Sequence, residues 1–261
     1  MVGLPVATYI AQSGLETWGY DISPMAVAKA RRKGIKAFDN WNEIPRVEAY
    51  LVCVSTGLKS NKPELTGLLD VMGLIQKTAR GKALVSIEST ILPGVSRDIY
   101  HNVFREQAHL VHVPHRYWSN DPERYGVRQP RLLGAIDGDS LDLAIRFYRT
   151  TLKIPVYPVS SIEVAEMCKI AEQSYRYVSI AFAEELRMLC DRLNLDFEEI
   201  RAASNTKWNI QIPEARDGID GACLPKDIQY LRSLAPQVLL LNAATEVDQK
   251  YRERFSNLAR A

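Results

Sequence analysis

The sequence has no surplus of either charge. Lysine and arginine number 33 against 31 aspartates and glutamates in 261 residues, a formal +2. That excludes the phosphate-neutralising surface of a nucleic-acid binder and an acidic tail. Long apolar runs are missing too. Nothing approaches the roughly 20 residues that cross a bilayer, and the first residues lack the charged-then-apolar pattern of a secretory signal, so a cytoplasmic chain is expected. Cysteine is scarce and scattered. Cys53, Cys168, Cys190 and Cys223 form no CxxC pair and no histidine falls at ligand spacing, so the pattern gives neither a zinc site nor a disulfide framework. Internal repeats and low-complexity segments are absent. What is present, 46% hydrophobic and 25% charged residues, is the composition of an ordinary folded chain of one large or two modest domains.

In the first half, short β-rich runs alternate with amphipathic ones, as in a doubly wound parallel sheet covered by helices on both faces. Residues 16–21, 49–54, 83–87, 110–113, 131–136 and 154–157 read as strands, and 5–13, 24–33, 64–79, 93–107 and 140–150 as helices. Three of these helices carry proline near the first turn, where its missing donor costs little. The pattern changes at Ser160 and Ser161. Apolar residues then recur at Val164, Met167, Cys168, Ala171, Tyr175, Val178, Phe182, Leu186, Leu189 and Leu193, which predicts one long helix with a single buried stripe. Asn194 is its expected stop and Asp196 the N-cap of a short helix through Ala203. Residues 227–234 and 238–258 read as further helix.

Three places carry residues that chemistry uses. The opening MVGLPVA runs a glycine-containing turn straight into a helix, and the next strand ends in Tyr20-Asp21. A dinucleotide site needs glycine for close approach to the pyrophosphate, a helix N-terminus facing its charge, and an acid about 20 residues on for the ribose hydroxyls. Gly3 and Asp21 supply the last parts, with no strand before the turn; an ordinary helix start and an exposed aspartate explain them equally well. In DGACLPKD the thiol of Cys223 follows Gly218 and Gly221 and precedes a helix start, where the dipole favours a thiolate. A lone cysteine is otherwise a small buried hydrophobe. On the long helix Lys169 and Gln173 are four apart and project from one face, which Glu166 and Arg176 extend; a solvated face produces the same spacing.

The segments VGLPVA, GYDISP, ESTILPG, EVAEMCKIAEQSYRYVSIAFAEEL and GACLPKD, in that order, resemble the UDP-glucose/GDP-mannose dehydrogenase family over nearly the whole chain. The likeness is greatest to the branch acting on UDP-N-acetyl-D-mannosamine. The resemblance implies a Rossmann-like NAD-binding domain over residues 1–158 and an all-α central dimerisation domain over 159–261. It also implies a C-terminal nucleotide-sugar-binding domain that this chain does not reach. Members of the family place a strand and the first glycine of GxGxxG ahead of VGLP, so the sheet is expected to lack its first, central strand. The chain is then a fragment of a longer gene or a short relative.

The activity so implied is NAD-dependent oxidation of the C6 alcohol of a UDP-sugar to the uronic acid through a cysteine thioester, a step of polysaccharide biosynthesis. By resemblance Cys223 is the nucleophile, Lys169 offsets oxyanion charge, and Gln173 supplies an amide where relatives carry asparagine. Asp227 and Thr90 position or deprotonate water. His115 stands where relatives carry the glutamate of Pro-Glu-Arg, and an imidazole can act as general base near neutral pH; loss of that step, or use of Asp121 or Glu123, is equally open. Asp220 occupies the place of the first glycine of the family's cysteine loop. Val2, Gly3, Asp21, Val54, Ser55, Thr56 and Thr90 are the expected cofactor contacts, with Asp21 favouring NAD over NADP by repelling a 2′-phosphate. The expected partners are a nucleotide sugar and a second copy of the chain through the long helix, with no metal, nucleic acid or membrane. Two other readings stay open: a β-hydroxyacid or 6-phosphogluconate type dehydrogenase, which needs no cysteine, and a shortened non-catalytic relative.

Overall fold

The computed structural model describes residues 2–60, 62–79, 81–221, 223–235 and 237–258. Ala222 of the GACLPKD segment and the outer ends of the two expected domains, Met1 and 259–261, lie outside the described residues. The chain divides into two compact units. One holds the residues up to Gly57 and Glu64–Cys168; the other holds Leu58–Pro63 and the chain from Lys169 onward.

The first unit opens with α1 (Gly3–Gln12), whose N-cap, Val2, offers no side-chain acceptor. β1 (Trp18–Tyr20) leads to α2 (Pro24–Arg32), started by proline and capped by the Ser23 hydroxyl, which accepts from the Ala26 N–H. β2 (Lys36–Phe38) pairs in parallel with β1. β3 (Ala49–Val52) follows, then a small pair, β4 (Gly57–Lys59) and β5 (Lys62–Glu64), and α3 (Thr66–Thr78). β6 (Leu84–Ile87), α4 (Val95–Asn102), β7 (His109–His112), β8 (Arg131–Ala135), α5 (Gly138–Ile145) and β9 (Val156–Pro158) complete the unit. The main sheet has the order β3-β6-β7-β8-β9.

The strand pairing explains two features of this sheet. The β1–β2 pair is a sheet of its own. The sheet is not parallel throughout. β3, β6 and β7 run parallel, whereas β8 runs antiparallel to β7 and parallel to β9. A parallel return needs a crossover, usually a helix; between β7 and β8 no helix intervenes. β6, in the middle of the parallel set, is buried at every position, as a strand covered on both faces must be. Val85, Ile87 and Leu110 pack with Met72 and Ile75 of α3 in one core; Val111 and Leu133 pack with Val6, Ile10 and Tyr148 in another.

Some local expectations fail for local reasons. The helix expected over 93–107 spans only Val95–Asn102, because Gly94 takes φ 95° at its start and Arg105 and Glu106 take φ of 48° and 63° beyond its end. The helix expected over 140–150 begins at Gly138 and widens into a π-helical turn over Arg146–Thr151. β2, β4 and β5 were not expected; at three residues each, alternation is too short to read.

α6 (Ile162–Leu193) runs from the first unit into the second and ends where Asn194 takes φ 54°. α7 (Phe197–Ser204) is capped by Asp196, whose Oδ1 accepts from the Glu198 and Glu199 N–H groups. α8 (Leu224–Ser233) and α9 (Leu239–Leu258) complete the unit. Its core joins Tyr177, Ala181 and Ile228 in one cluster and Ala183, Cys190, Phe197 and Tyr251 in another. The stripe expected to be buried on α6 is mostly exposed: Tyr175 is 77%, Phe182 55% and Leu193 68% accessible. The covered side carries Ile162, Ile170, Tyr177 and Cys190 together with the small residues Ala165, Ser174, Ala181 and Ala183. No helix among the described residues is long and apolar enough to cross a membrane.

Candidate active site

In the second unit the opening of α8 faces α6. Cys223 is the N-cap residue of α8 and is exposed; Gly221, two residues earlier, takes the left-handed φ of 95° that a side chain would resist. Asp227 lies in the first turn, its N–H donating to the Cys223 carbonyl at 2.8 Å, and its side chain is 1% exposed. Lys226 Nζ forms an ion pair with Asp227 Oδ1 at 2.9 Å and lies 4.6 Å from the centre of the Tyr230 ring. Lys169 of α6 is 9% exposed. Burial pulls its ammonium below the usual lysine range; Asp227, Glu172 and Cys223 oppose that shift and Lys226 adds to it. The thiol-bearing residue and the buried carboxylate of α8 thus both lie close enough to act on the Lys169 ammonium. Such a set can attack an electrophilic carbon, offset the charge that develops on its oxygen, and hold water.

Gln173 follows one turn after Lys169 and is half-buried, while Arg176 is exposed. The same polar series therefore does not form one solvated face. Glu166 is fully buried in the first unit, where its carboxylate accepts from the Gly94 N–H at 2.7 Å and the Ser96 N–H at 2.9 Å. It caps α4, whose own N-cap residue is a glycine. Burial raises its carboxyl group despite these donors. Sequence spacing gave no sign of this role.

The expected cofactor residues lie in the first unit. Asp21, exposed at the end of β1, accepts from the Ser23 N–H at 2.9 Å. A methyl group at Gly3 would meet Cys53 Cβ at an ordinary 3.5 Å, so packing does not demand glycine there. The Val54 carbonyl accepts from the Ser89 hydroxyl at 2.6 Å, and the Thr56 hydroxyl donates to the Thr90 carbonyl at 2.7 Å. These bonds tie the segment after β3 to the segment after β6, with Ser55 exposed between them.

His115 is placed differently from the expected water-activating base. It is buried and hydrogen-bonded through Nε2 to Glu88. Arg131 Nη1 is 3.2 Å from Glu88 Oε1, and the Tyr148 hydroxyl donates to that oxygen at 2.5 Å. Burial alone would raise the Glu88 carboxyl, but His115 and Arg131 hold it down at about 2. Burial, then Glu88, pushes up both the Cys53 thiol and the Tyr148 hydroxyl. Asp121 accepts from the Arg124 N–H at 3.1 Å, and Glu123 is exposed.

With this geometry in place, the comparisons with known proteins fall into line. Residues 163–250, which carry Lys169, Cys223 and Asp227, match the model of the UDP-glucose/GDP-mannose dehydrogenase family, central domain. Over that stretch the chain is similar to the central domain of this family. It is 28% identical to the UDP-N-acetyl-D-mannosamine dehydrogenase of Pyrococcus horikoshii over 95% of this chain and 66% of that protein. Against the enzyme of the same name from Methanococcus vannielii it is 25% identical, over 95% of this chain and 63% of that one. A solved structure of the Pyrococcus horikoshii UDP-D-ManNAc dehydrogenase superposes with a TM-score of 0.91 at 26% identity, covering 99% of this chain and 68% of the other. The chain thus spans just under two thirds of the length of these UDP-glucose/GDP-mannose dehydrogenase family relatives.

Proposed function

We propose that the chain is the cysteine-bearing part of an NAD-dependent nucleotide-sugar 6-dehydrogenase. Its substrate on this reading is UDP-N-acetyl-D-mannosamine, the sugar nucleotide in the names of the relatives above, and its product the uronic acid. The observation that supports the reading is that Cys223 and Asp227, joined at the opening of α8, both act on the charge of the buried Lys169. The first unit has the chemistry to hold NAD. α1 begins without a side-chain cap, so its first N–H groups suit a pyrophosphate, and the exposed Asp21 carboxylate suits ribose hydroxyls and disfavours a 2′-phosphate. Val54, Ser55, Thr56 and Thr90 line the carboxyl edge of β3 and β6, where such folds bind ligands.

When bound, NAD accepts the hydride in each of two oxidations. The chain's own residues do the rest. After the alcohol has become an aldehyde, Cys223 Sγ adds to its carbon, and Lys169 offsets the charge on the former carbonyl oxygen. Loss of the second hydride leaves a thioester on Cys223. Asp227 holds the water that cleaves it, Gln173 donates an amide hydrogen bond, and Thr90 orients the reacting end of the cofactor. His115 belongs to the Glu88 cluster on this reading rather than to the water-activating step.

The test is stoichiometry. Supplied with NAD and UDP-N-acetyl-D-mannosamine, the purified protein forms two NADH per uronate, and Cys223→Ser forms none of the acid. One NADH per product, or undiminished acid from the serine variant, removes the thioester route. The protein is on the same reading a cytoplasmic homodimer. Tyr175, Phe182 and Leu189, seven apart on α6, leave an exposed apolar stripe that a second copy can cover. Sedimentation of the native protein as a monomer at every concentration refutes that part.

A further inference from the structure

At the carboxyl ends of three neighbouring strands of the first unit, side chains far apart in sequence meet. Cys53 follows β3, Glu88 follows β6, and His115 lies just beyond β7. Cys53 Sγ is 3.5 Å from Glu88 Oε2, and His115 Nε2 is hydrogen-bonded to the same oxygen. The three donor atoms all fall within 4.8 Å of one another. Glu88 and His115 are buried and Cys53 partly so.

We propose that Cys53, Glu88 and His115 form a zinc-binding site. In a tetrahedral zinc centre with bonds of about 2.0–2.3 Å, ligand atoms sit roughly 3.3–3.8 Å apart. The sulfur–oxygen pair already has that separation; the metal takes the place of the proton between His115 and Glu88, and that pair parts to admit it. The donor set of one sulfur, one imidazole nitrogen and one carboxylate oxygen selects a borderline-soft divalent ion over magnesium or calcium. Three protein ligands leave a fourth position for water.

The surroundings suit a metal ligand. The outer oxygen of Glu88 is held by the Tyr148 hydroxyl and the Arg131 guanidinium, the kind of hydrogen bond that orients a ligating carboxylate; Arg131 Nη1 also lies 3.2 Å from His115 Nε2 and must draw back from it when the metal binds. On binding, the Cys53 thiol proton and the proton shared by His115 and Glu88 leave to solvent. Zinc and Arg131 then face a thiolate and a carboxylate, which leaves the cluster one positive charge in excess. The site pins the ends of β3 and β6 and the start of the segment after β7 to one another. It shares no residue with the thioester route, so it stands or falls independently of the proposed function.

Cobalt(II) is the probe, because a cobalt–thiolate bond gives a charge-transfer band in the near ultraviolet. Titration of the chain gives that band, saturating at one cobalt per chain and displaced by zinc. Cys223→Ser retains it, Cys53→Ala loses it, and Tyr148→Phe weakens binding about 10- to 100-fold through the outer oxygen of Glu88. Zinc raises the thermal midpoint of the wild type and of Cys223→Ser, and leaves that of Cys53→Ala unchanged. Absence of the band in wild type, or its persistence in Cys53→Ala, overturns the proposal. Should Cys53→Ala not fold, zinc-edge X-ray absorption on Cys223→Ser decides: one sulfur among nitrogen and oxygen neighbours supports the site, and a shell without sulfur overturns it.

Discussion

Replacing Glu184 by glutamine is expected to stabilise the second unit, and to do so more as the pH rises. Glu184 is fully buried on α6, and neither of its carboxylate oxygens has a hydrogen-bond partner. Burial, then the neighbouring Asp248 carboxylate, pushes its pKa from 4.5 to about 8, against a smaller opposing pull from Arg252. Asp248 itself is well supplied, accepting from the Tyr177 hydroxyl, the Ile219 N–H and Arg252 Nε at 2.8–3.0 Å. Between pH 4.5 and about 8 the folded state keeps a proton that the unfolded chain has released, so stability falls with rising pH at up to about 1.4 kcal/mol per pH unit. The loss amounts to about 3 kcal/mol at pH 7 and saturates at up to about 5 kcal/mol above pH 8, before relaxation of the surroundings reduces it. Glutamine cannot ionise, and its amide can donate to Asp248. Urea unfolding followed by circular dichroism at about pH 5, 7 and 9 checks this, since the titrations of groups not coupled to Glu184 cancel in the difference between variant and wild type. The reasoning is refuted if that difference is the same at all three values.

Gly134→Ala is expected to destabilise the first unit by about 1–3 kcal/mol through overpacking. A methyl group there would lie 2.7 Å from both Ala165 Cβ and the Ser161 carbonyl oxygen and 2.8 Å from Ile162 Cα, two of them backbone atoms that cannot swing aside. Thermal unfolding checks it, and an unchanged midpoint shows that the start of α6 yields there at no cost.

The Glu184 and Gly134 arguments show where reading a sequence stops. The extent of α6 was legible from its apolar repeat and from Asn194, and the start of α7 from Asp196, because turns and caps are settled by residues a few positions apart. Cys223 and Asp227, four residues apart, share the opening turn of one helix; the roles expected of them came from the family resemblance. That resemblance was legible from ordered short segments. The covered face of α6 was not. Periodicity says which residues share a side of a helix, and the wider, apolar side looked like the inner one. In the folded chain the inner side mixes alanine and serine with Ile162, Ile170 and Tyr177 and is interrupted by Glu166, Lys169 and Glu184.

The sequence by itself determined the elements, their caps and the residues that a helix start brings together, since these interactions act over one or two turns. Tertiary structure alone decided that Glu166 caps a helix 70 residues earlier in the chain. It also decided that His115 and Cys53, 27 and 35 residues from Glu88, share its carboxylate. Contacts of that kind exist only once the sheet has set its strands side by side, because strand order, not spacing along the chain, decides which side chains meet at the sheet's edge.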